Sequence, residues 1–326
     1  MTWKCHLAIF KAKSPIHIGY KQIGNLKTTR YYITGRAMWG TITANLTRAL
    51  FSNPKPEDYQ TIGNFVKEHI RTMYFYPAIK KNEVKNPQEW SEYEVDDHLV
   101  FLPEYTENGI KFGSVSKEEF EQMFIGSFVS TALEAQTKTA EEGSLHEFEF
   151  IRNKVTTDKS TADVYWLGYI FANANARDIL DNTGKKLADV DYKDVDISFT
   201  NDEKTVLFSN VLNTLFVGGE RNYGLGRLKL VSLVSNPENQ RLFGKFEVEL
   251  NGDKPMLKMD TALAHVNLDD VKLERGFLGE IEPVVGLEWS EKGAGQKVSD
   301  ALICAVPGSK VPSGKYVVDK LGIIRF

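Results

Sequence analysis

Cysteine is scarce in this chain: there are two in 326 residues, Cys5 and Cys304, at opposite ends. Neither belongs to a CxxC pair and the six histidines do not cluster, so the sequence supports neither a disulfide framework nor a zinc site, and both thiols read as buried and inert. Long apolar runs are missing as well. No stretch approaches the ~18 uncharged residues of a membrane span, and the start, MTWKCHLAIFKAKSP, has too short an apolar core and no small-residue cleavage site for a secretion signal. These absences predict a soluble, cytoplasmic protein without a membrane partner. With 42% hydrophobic and 26% charged residues, the chain can bury one large core or two smaller ones, and two domains are expected.

A further absence is local. Residues 1–56 contain no carboxylate, yet they hold nine basic side chains: Lys4, Lys11, Lys13, Lys21, Lys27, Arg30, Arg36, Arg48 and Lys55. The rest of the chain holds the other 31 Lys and Arg against all 44 carboxylates, so a formal charge of −4 conceals a basic end and a remainder of −13. Such a split attracts a polyanion to one end while the remainder repels non-specific binding; the alternative is a solvated basic face, which ordinarily mixes both signs.

Polar and apolar residues alternate from Lys4 to Lys11, which predicts a strand with its polar side chains outward, closed by SPIHIG (Ser14 to Gly19). Residues 19–32, GYKQIGNLKTTRYY, read as a long basic loop. From Gly35 onward, Met38, Ile42, Leu46 and Leu50 fall at helical spacing with Thr34 as cap, so the helix N-terminus adds partial positive charge where Lys21, Lys27, Arg30 and Arg36 gather. A second helix is expected over Tyr59 to Tyr74. The acidic run EYEVDDH (Glu92 to His98) reads as a solvated face in preference to a divalent-metal site. Ser130 to Ile151 reads as a polar hairpin arm, with its tip around Lys138 to Gly143 and apolar Leu145, Phe148, Phe150 and Ile151 on the return. Val164 to Ala172, VYWLGYIFA, predicts a buried strand. Lys204 to Phe216 predicts a helix with Val206, Leu207, Val211, Leu212 and Leu215 inward.

That helix is expected to run into VGGERNYGLGRLKLVSL, the strongest local signal. Gly218, Gly219, Gly224 and Gly226 fall within nine residues among Arg221, Asn222, Tyr223 and Arg227, ahead of a strand from Arg227 to Leu233. Glycines let backbone amides approach a phosphate, arginines supply charge and the tyrosine a stacking face; the bland alternative is a glycine-rich helix stop. No GK[ST] follows, which excludes a Walker loop. The helix-to-strand order speaks against a dinucleotide fingerprint.

In this order, SPIHIG, the basic segment, ITGRAMWGTI (Ile33 to Ile42) and the glycine loop Gly218 to Arg227 resemble the CRISPR-associated RAMP superfamily. Its members open their first helix with an IPGSTLRGAL-like motif and carry a glycine-rich loop after the second. TALEAQTKTAEEGSLHEFEFI is similar to the hairpin of type III RAMP subunits, and the best likeness is to the Cas-five group of type III (Csm/Cmr/Csx-like) complexes. The resemblance implies an α+β fold: a ferredoxin-like or RRM-like RAMP domain over residues 1–235, with an insertion at 52–163 that includes the hairpin arm, and the glycine loop at 218–227. Residues 236–326, turn-rich and strand-like, are expected to form a smaller, diverged β-rich domain.

The resemblance further implies a non-catalytic subunit that holds the 5′ handle of a guide RNA (crRNA), needs no cofactor, and sits beside the large signalling subunit and the backbone RAMP subunits, near target RNA. Lys21, Lys27, Arg30 and Arg36 would neutralise phosphates, Tyr31 and Trp39 would stack bases, Gly218, Gly219, Arg221, Asn222, Tyr223, Gly224, Gly226 and Arg227 would wrap the backbone, and the arm carrying Thr137, Lys138 and Thr139 would reach over the duplex or a neighbour. Three alternatives stay open. Backbone subunits cut RNA with an aspartate in the loop before the first helix, but Gly19 to Tyr32 has no acidic residue. Guide-processing relatives use a histidine base, a role His17 would take with Tyr31, Tyr32 and Lys27. A protein-docking scaffold is the third, and Tyr20, Tyr31, Tyr32 and Trp39 among the basic residues favour RNA over it.

Overall fold

The computed structural model describes residues 2–131, 145–193, 196–236, 241–269, 271, 277–290 and 293–326. Strand Trp3–Ala12 lies at the centre of the main sheet, antiparallel to Tyr165–Asn173 on one side and to Arg227–Asn236 on the other. Tyr165–Asn173 in turn pairs with Ile70–Thr72 and Tyr76–Lys80. Numbered along the chain, the four principal strands therefore lie side by side in the order 4-1-3-2. Thr214–Phe216 extends one edge, while His98–Val100 and then Glu94–Val95 extend the other.

Helices Gly35–Leu50 and Pro56–His69 cover one face of this sheet. Met38, Ile42, Leu46 and Leu50 are fully buried at the predicted spacing, and the Thr34 hydroxyl accepts from the Ala37 amide. Gly63 lets the second helix approach the first, with Trp39 Nε1 donating to the Gly63 carbonyl at 2.8 Å. This second helix stops at His69, short of the expected Tyr74, because Ile70–Thr72 is drawn into the sheet by backbone pairing with Tyr165–Asn173.

The opposite face is covered by the C-terminal chain. Seven strands run in the order Glu247–Glu249, Met256–Thr261, Lys310–Val318, Ile324–Arg325, Val266–Asn267, Leu302–Ala305, Ile281–Val284. Leu257, Val266, Tyr316, Val318 and Ile324 share a core with Trp3, Cys5, Leu7, Ile9, Leu167, Tyr169 and Phe171. Ala8, Phe10 and Ala12 join the core on the helical side. The first strand is thus buried on both faces, and the expected outward row of polar residues is absent: even His6 is buried, with burial and then Lys4 holding its imidazole down at about 4.

Two other segments differ from expectation. Residues 19–32 contain a β-hairpin, Gly19–Ile23 with Leu26–Thr29, turned at Gly24 (φ 60°), where sequence suggested a loop; its polar composition hid an edge that pairs with the arm strand His146–Ile151. Lys204 to Phe216 is not one helix. Thr205–Leu207 pairs with Asp196–Thr200, Phe208–Leu212 makes a five-residue helix, and Thr214–Phe216 joins the main sheet, so β-pairing overrides a helical spacing. Tyr165–Asn173 is buried throughout, and the arm is an antiparallel pair, Ile125–Ser130 with His146–Ile151.

One polar network crosses the core between the two sheets. Buried Tyr74 donates its hydroxyl to His265 Nδ1 at 2.6 Å; His265 Nε2 donates to Glu282, which also receives Arg30, and Arg30 donates to the Tyr32 hydroxyl at 3.0 Å. Burial keeps the Tyr74 proton in place and pulls His265 down toward its neutral form, so Nδ1 accepts from Tyr74 while Nε2 donates to Glu282. Burial alone would raise the Glu282 carboxyl, but His265 and Arg30 outweigh it and hold it at about 2, below the ordinary 4.5. A depressed carboxyl adds stability above its unfolded value and loses it as pH falls toward the folded one. The contribution, roughly 3 kcal/mol, should therefore disappear between pH 4.5 and 2, and protonation of His265 in the unfolded chain adds to the loss below about 6.5. Urea unfolding of Glu282→Gln should show ~2–4 kcal/mol less stability at pH 7 and a flatter acid slope; an unchanged slope would remove the network from this role.

Candidate nucleic-acid interface

The glycine loop folds back onto the segment that follows the first strand. Gly219 donates its amide to the His17 carbonyl (2.9 Å), Gly226 to Pro15 (2.8 Å) and Arg227 to the Ser14 hydroxyl (3.0 Å). Gly218 has φ 77° and a Cβ there would lie 2.0 Å from the His17 carbonyl oxygen; Gly226 has φ 91°, with a Cβ 2.2 Å from the Val217 oxygen. These two glycines are required by close approach of the chain to itself. These three amides are occupied internally.

An exposed surface rises from the turn Arg221–Tyr223, entered through left-handed Glu220 and left through Gly224 (φ 81°). Arg221, Asn222, Tyr223 and Arg227 are exposed. Tyr223, 44% exposed, rests its ring on Phe148 (5.3 Å) and Phe128 (5.8 Å) of the hairpin arm and brings its hydroxyl to 3.0 Å from His146 Nε2. Lys27 reaches across from the N-terminal hairpin to Glu220 at 2.7 Å. Among the described residues no carboxylate lies within ion-pair distance of Lys13, Arg48, Arg221 or Arg227. Partial desolvation and then the nearby Arg48 pull the Arg221 guanidinium below its ordinary value. Two like charges close together without a counter-ion make a field that attracts anions, and Tyr223 with Phe128 offers a stacking face beside it.

The N-terminal candidates divide. Lys21 is exposed, its Nζ 4.5 Å above the Tyr20 ring. Arg30 is turned inward to Glu282, and Tyr32 is buried in a stack on Tyr74. Tyr31 packs against Phe112 and Phe120 and donates to Glu121; burial and that carboxylate push its hydroxyl well above 10. Arg36 is half-buried against Gly286, where a Cβ would come within 2.3 Å of the guanidinium, and Trp39 lies half-buried between the two helices. His17 is 4% exposed and donates Nδ1–H to the Glu149 carbonyl at 2.7 Å. The structure thus brings together the glycine loop, Lys27 and the arm, and gives Arg30, Tyr31 and His17 internal partners. Thr137, Lys138 and Thr139 lie outside the described residues.

Sequence reasoning did not join Phe128, His146, Lys13 and Arg48 to this surface. The one available signal was the alternation of Phe128 with Ser127 and of Phe148 with Glu147 and Glu149 on facing arms. Gly218→Ala and Gly226→Ala should each cost ~2–4 kcal/mol in thermal or urea unfolding, whereas Gly224→Ala, with open space around it, should cost about 1–2 kcal/mol for backbone strain alone; equal losses at all three would refute the close-approach account.

The family model of the RAMP superfamily matches residues 9–229. No curated protein matches the chain. Solved structures that it resembles include a chain of type III-B Cmr-beta bound to cognate target RNA and AMPPnP (11% identity, TM-score 0.46, covering 94% of this chain and 85% of that one). Another is a chain of Cmr-beta bound to cognate target RNA (12%, 0.47, 94% and 86%), and a third is oligomeric Cmr4 from Pyrococcus furiosus (13%, 0.29, 72% and 99%). A family match over two thirds of the length, reaching from the first strand through the glycine loop, identifies the chain as a member of the RAMP superfamily.

Proposed function

We propose that this RAMP protein is a non-catalytic, guide-RNA-binding subunit of a type III CRISPR effector complex, of the Cas-five kind, holding the 5′ handle. The observation that carries the reading is the surface at the glycine loop: Lys13, Arg48, Arg221 and Arg227 without carboxylate partners among the described residues, beside Tyr223 stacked on the arm. Membership of the superfamily supports it. The 4-1-3-2 antiparallel order with helices on one face supports a ferredoxin-like core for residues 1–235, and the all-strand sheet beyond residue 241 supports a diverged second unit.

Phosphates sit on Arg221, Arg227, Arg48 and Lys13, with Lys21 and Lys27 as flanking charge, and bases stack on Tyr223. Arg30 and Tyr31 are held by internal partners, Glu282 and Glu121, and support the fold in place of contacting RNA. A ribonuclease centred on His17 is disfavoured by the burial of its ring and by the Glu149 carbonyl that occupies Nδ1. Docking of neighbouring subunits is favoured by a separate observation, the exposed apolar side chains Leu287 and Val298, which face each other across a two-stranded ladder at 63% and 59% exposure.

Fluorescence anisotropy with a labelled mature guide RNA tests the assignment. Arg221→Ala with Arg227→Ala should weaken binding tenfold or more at low salt and lower the salt slope by about 1.4, the share of two phosphates on a single strand. Tyr223→Ala should cost about 1–3 kcal/mol with the slope unchanged. Arg30→Ala should instead lower the melting temperature. Wild-type affinity in the double variant would overturn the assignment, and site-specific cutting of the guide lost in His17→Ala would move the protein to the guide-processing ribonucleases.

A further inference from the structure

At the edge of the main sheet, Glu94–Val95 turns into His98–Val100 through Asp96 and Asp97, and donor atoms of Asp96, Asp97 and His98 lie within 4.8 Å of one another. Two exposed carboxylates at a turn are ordinary. The imidazole is not: its side chain is 3% exposed, wedged edge-on against Tyr165 at 4.7 Å, and neither ring nitrogen has a hydrogen-bond partner. A buried imidazole normally donates from one nitrogen and accepts at the other.

His98 Nδ1 lies 2.7 Å from Asp97 Oδ1, yet the two do not align as a hydrogen bond. Two ligands each about 2.1 Å from one ion lie about 3.0 Å apart at a right angle and about 3.4 Å apart at the tetrahedral angle, so this pair would open by a fraction of an ångström to seat an ion. Lys80 holds the other Asp97 oxygen, Oδ2, at 3.0 Å, and the Lys81 amide binds the Asp97 carbonyl at 2.8 Å, so Oδ1 stays turned to the imidazole on an anchored turn. Glu94 is paired with Lys81 and is not available as a ligand. Asp96 lines an open groove of about 610 Å³ beside the turn. Two carboxylates against one lysine leave net negative charge at the turn.

We propose that Asp96, Asp97 and His98 form a binding site for a divalent transition-metal ion of the Zn²⁺ or Mn²⁺ kind, with water completing the coordination. The imidazole selects this class over Mg²⁺ and Ca²⁺, which prefer oxygen ligands alone. The ion would clip the exposed turn to a ring held in the core.

Calorimetric titration of the chelator-stripped full chain with ZnCl₂, and separately with MnCl₂ and MgCl₂, tests the site. One saturable Zn²⁺ site is expected, with Mg²⁺ at least tenfold weaker. Asp96→Asn with Asp97→Asn changes only exposed side chains, and asparagine tolerates the φ of 57° at position 96, so the stripped variant should melt close to the wild type while Zn²⁺ binding weakens at least tenfold. His98→Gln should weaken Zn²⁺ equally, and its melting curve separates lost ligation from lost folding. No saturable Zn²⁺ binding by the wild type, or undiminished binding by the double variant, would overturn the proposal.

Discussion

Strand Trp3–Ala12 has to be covered on both of its faces, and the molecule is organised around that constraint. Trp3, Cys5, Leu7 and Ile9 point one way and Ala8, Phe10 and Ala12 the other, so a single layer of helices leaves half of the strand's apolar side chains in water. Helices Gly35–Leu50 and Pro56–His69 supply one cover, and the strands between Glu247 and Arg325 supply the second. The C-terminal sheet therefore completes the core of the main sheet, and residues far apart in sequence, such as Tyr74 and His265, are forced together between the layers.

Where the layers meet, polar groups have to be satisfied without water. The chain from Tyr74 through His265 and Glu282 to Arg30 does this, and it recruits a cation from the otherwise basic N-terminal stretch. The carboxylate that an acid-free N-terminal segment lacks is thus supplied from 252 residues away. This use of Arg30 separates the nine N-terminal cations into those that build the protein and those left for a partner.

The glycine loop follows the same logic. Three of its amides are committed to Ser14, Pro15 and His17, which fixes the loop against the end of the central strand and carries Arg221, Asn222 and Tyr223 outward on an anchored base. Rigidity at such a surface favours binding, because less ordering entropy is lost when a ligand is seated. The hairpin arm contributes Phe128 and Phe148 as the floor under Tyr223, so the candidate interface joins segments that lie far apart in the chain.

Sequence by itself determined the local elements whose signal is one-dimensional. Thr34 and the Met38, Ile42, Leu46, Leu50 spacing located the first helix, the β-branched and aromatic run from Val164 located a buried strand, and the order of ITGRAMWGTI and the glycine loop was enough to suggest the family. Tertiary structure decided what depends on partners distant in the chain. Thr205–Leu207 and Thr214–Phe216 are strands because edges elsewhere pair with them, against a helical spacing of apolar residues. Residues 19–29 are a hairpin because the arm supplies a neighbour for its outer strand, and Arg30 is structural because Glu282 arrives beside it. A side chain's charge can be read from sequence; whether that charge faces solvent or a buried counter-ion is set by which surfaces the packing of the two sheets closes.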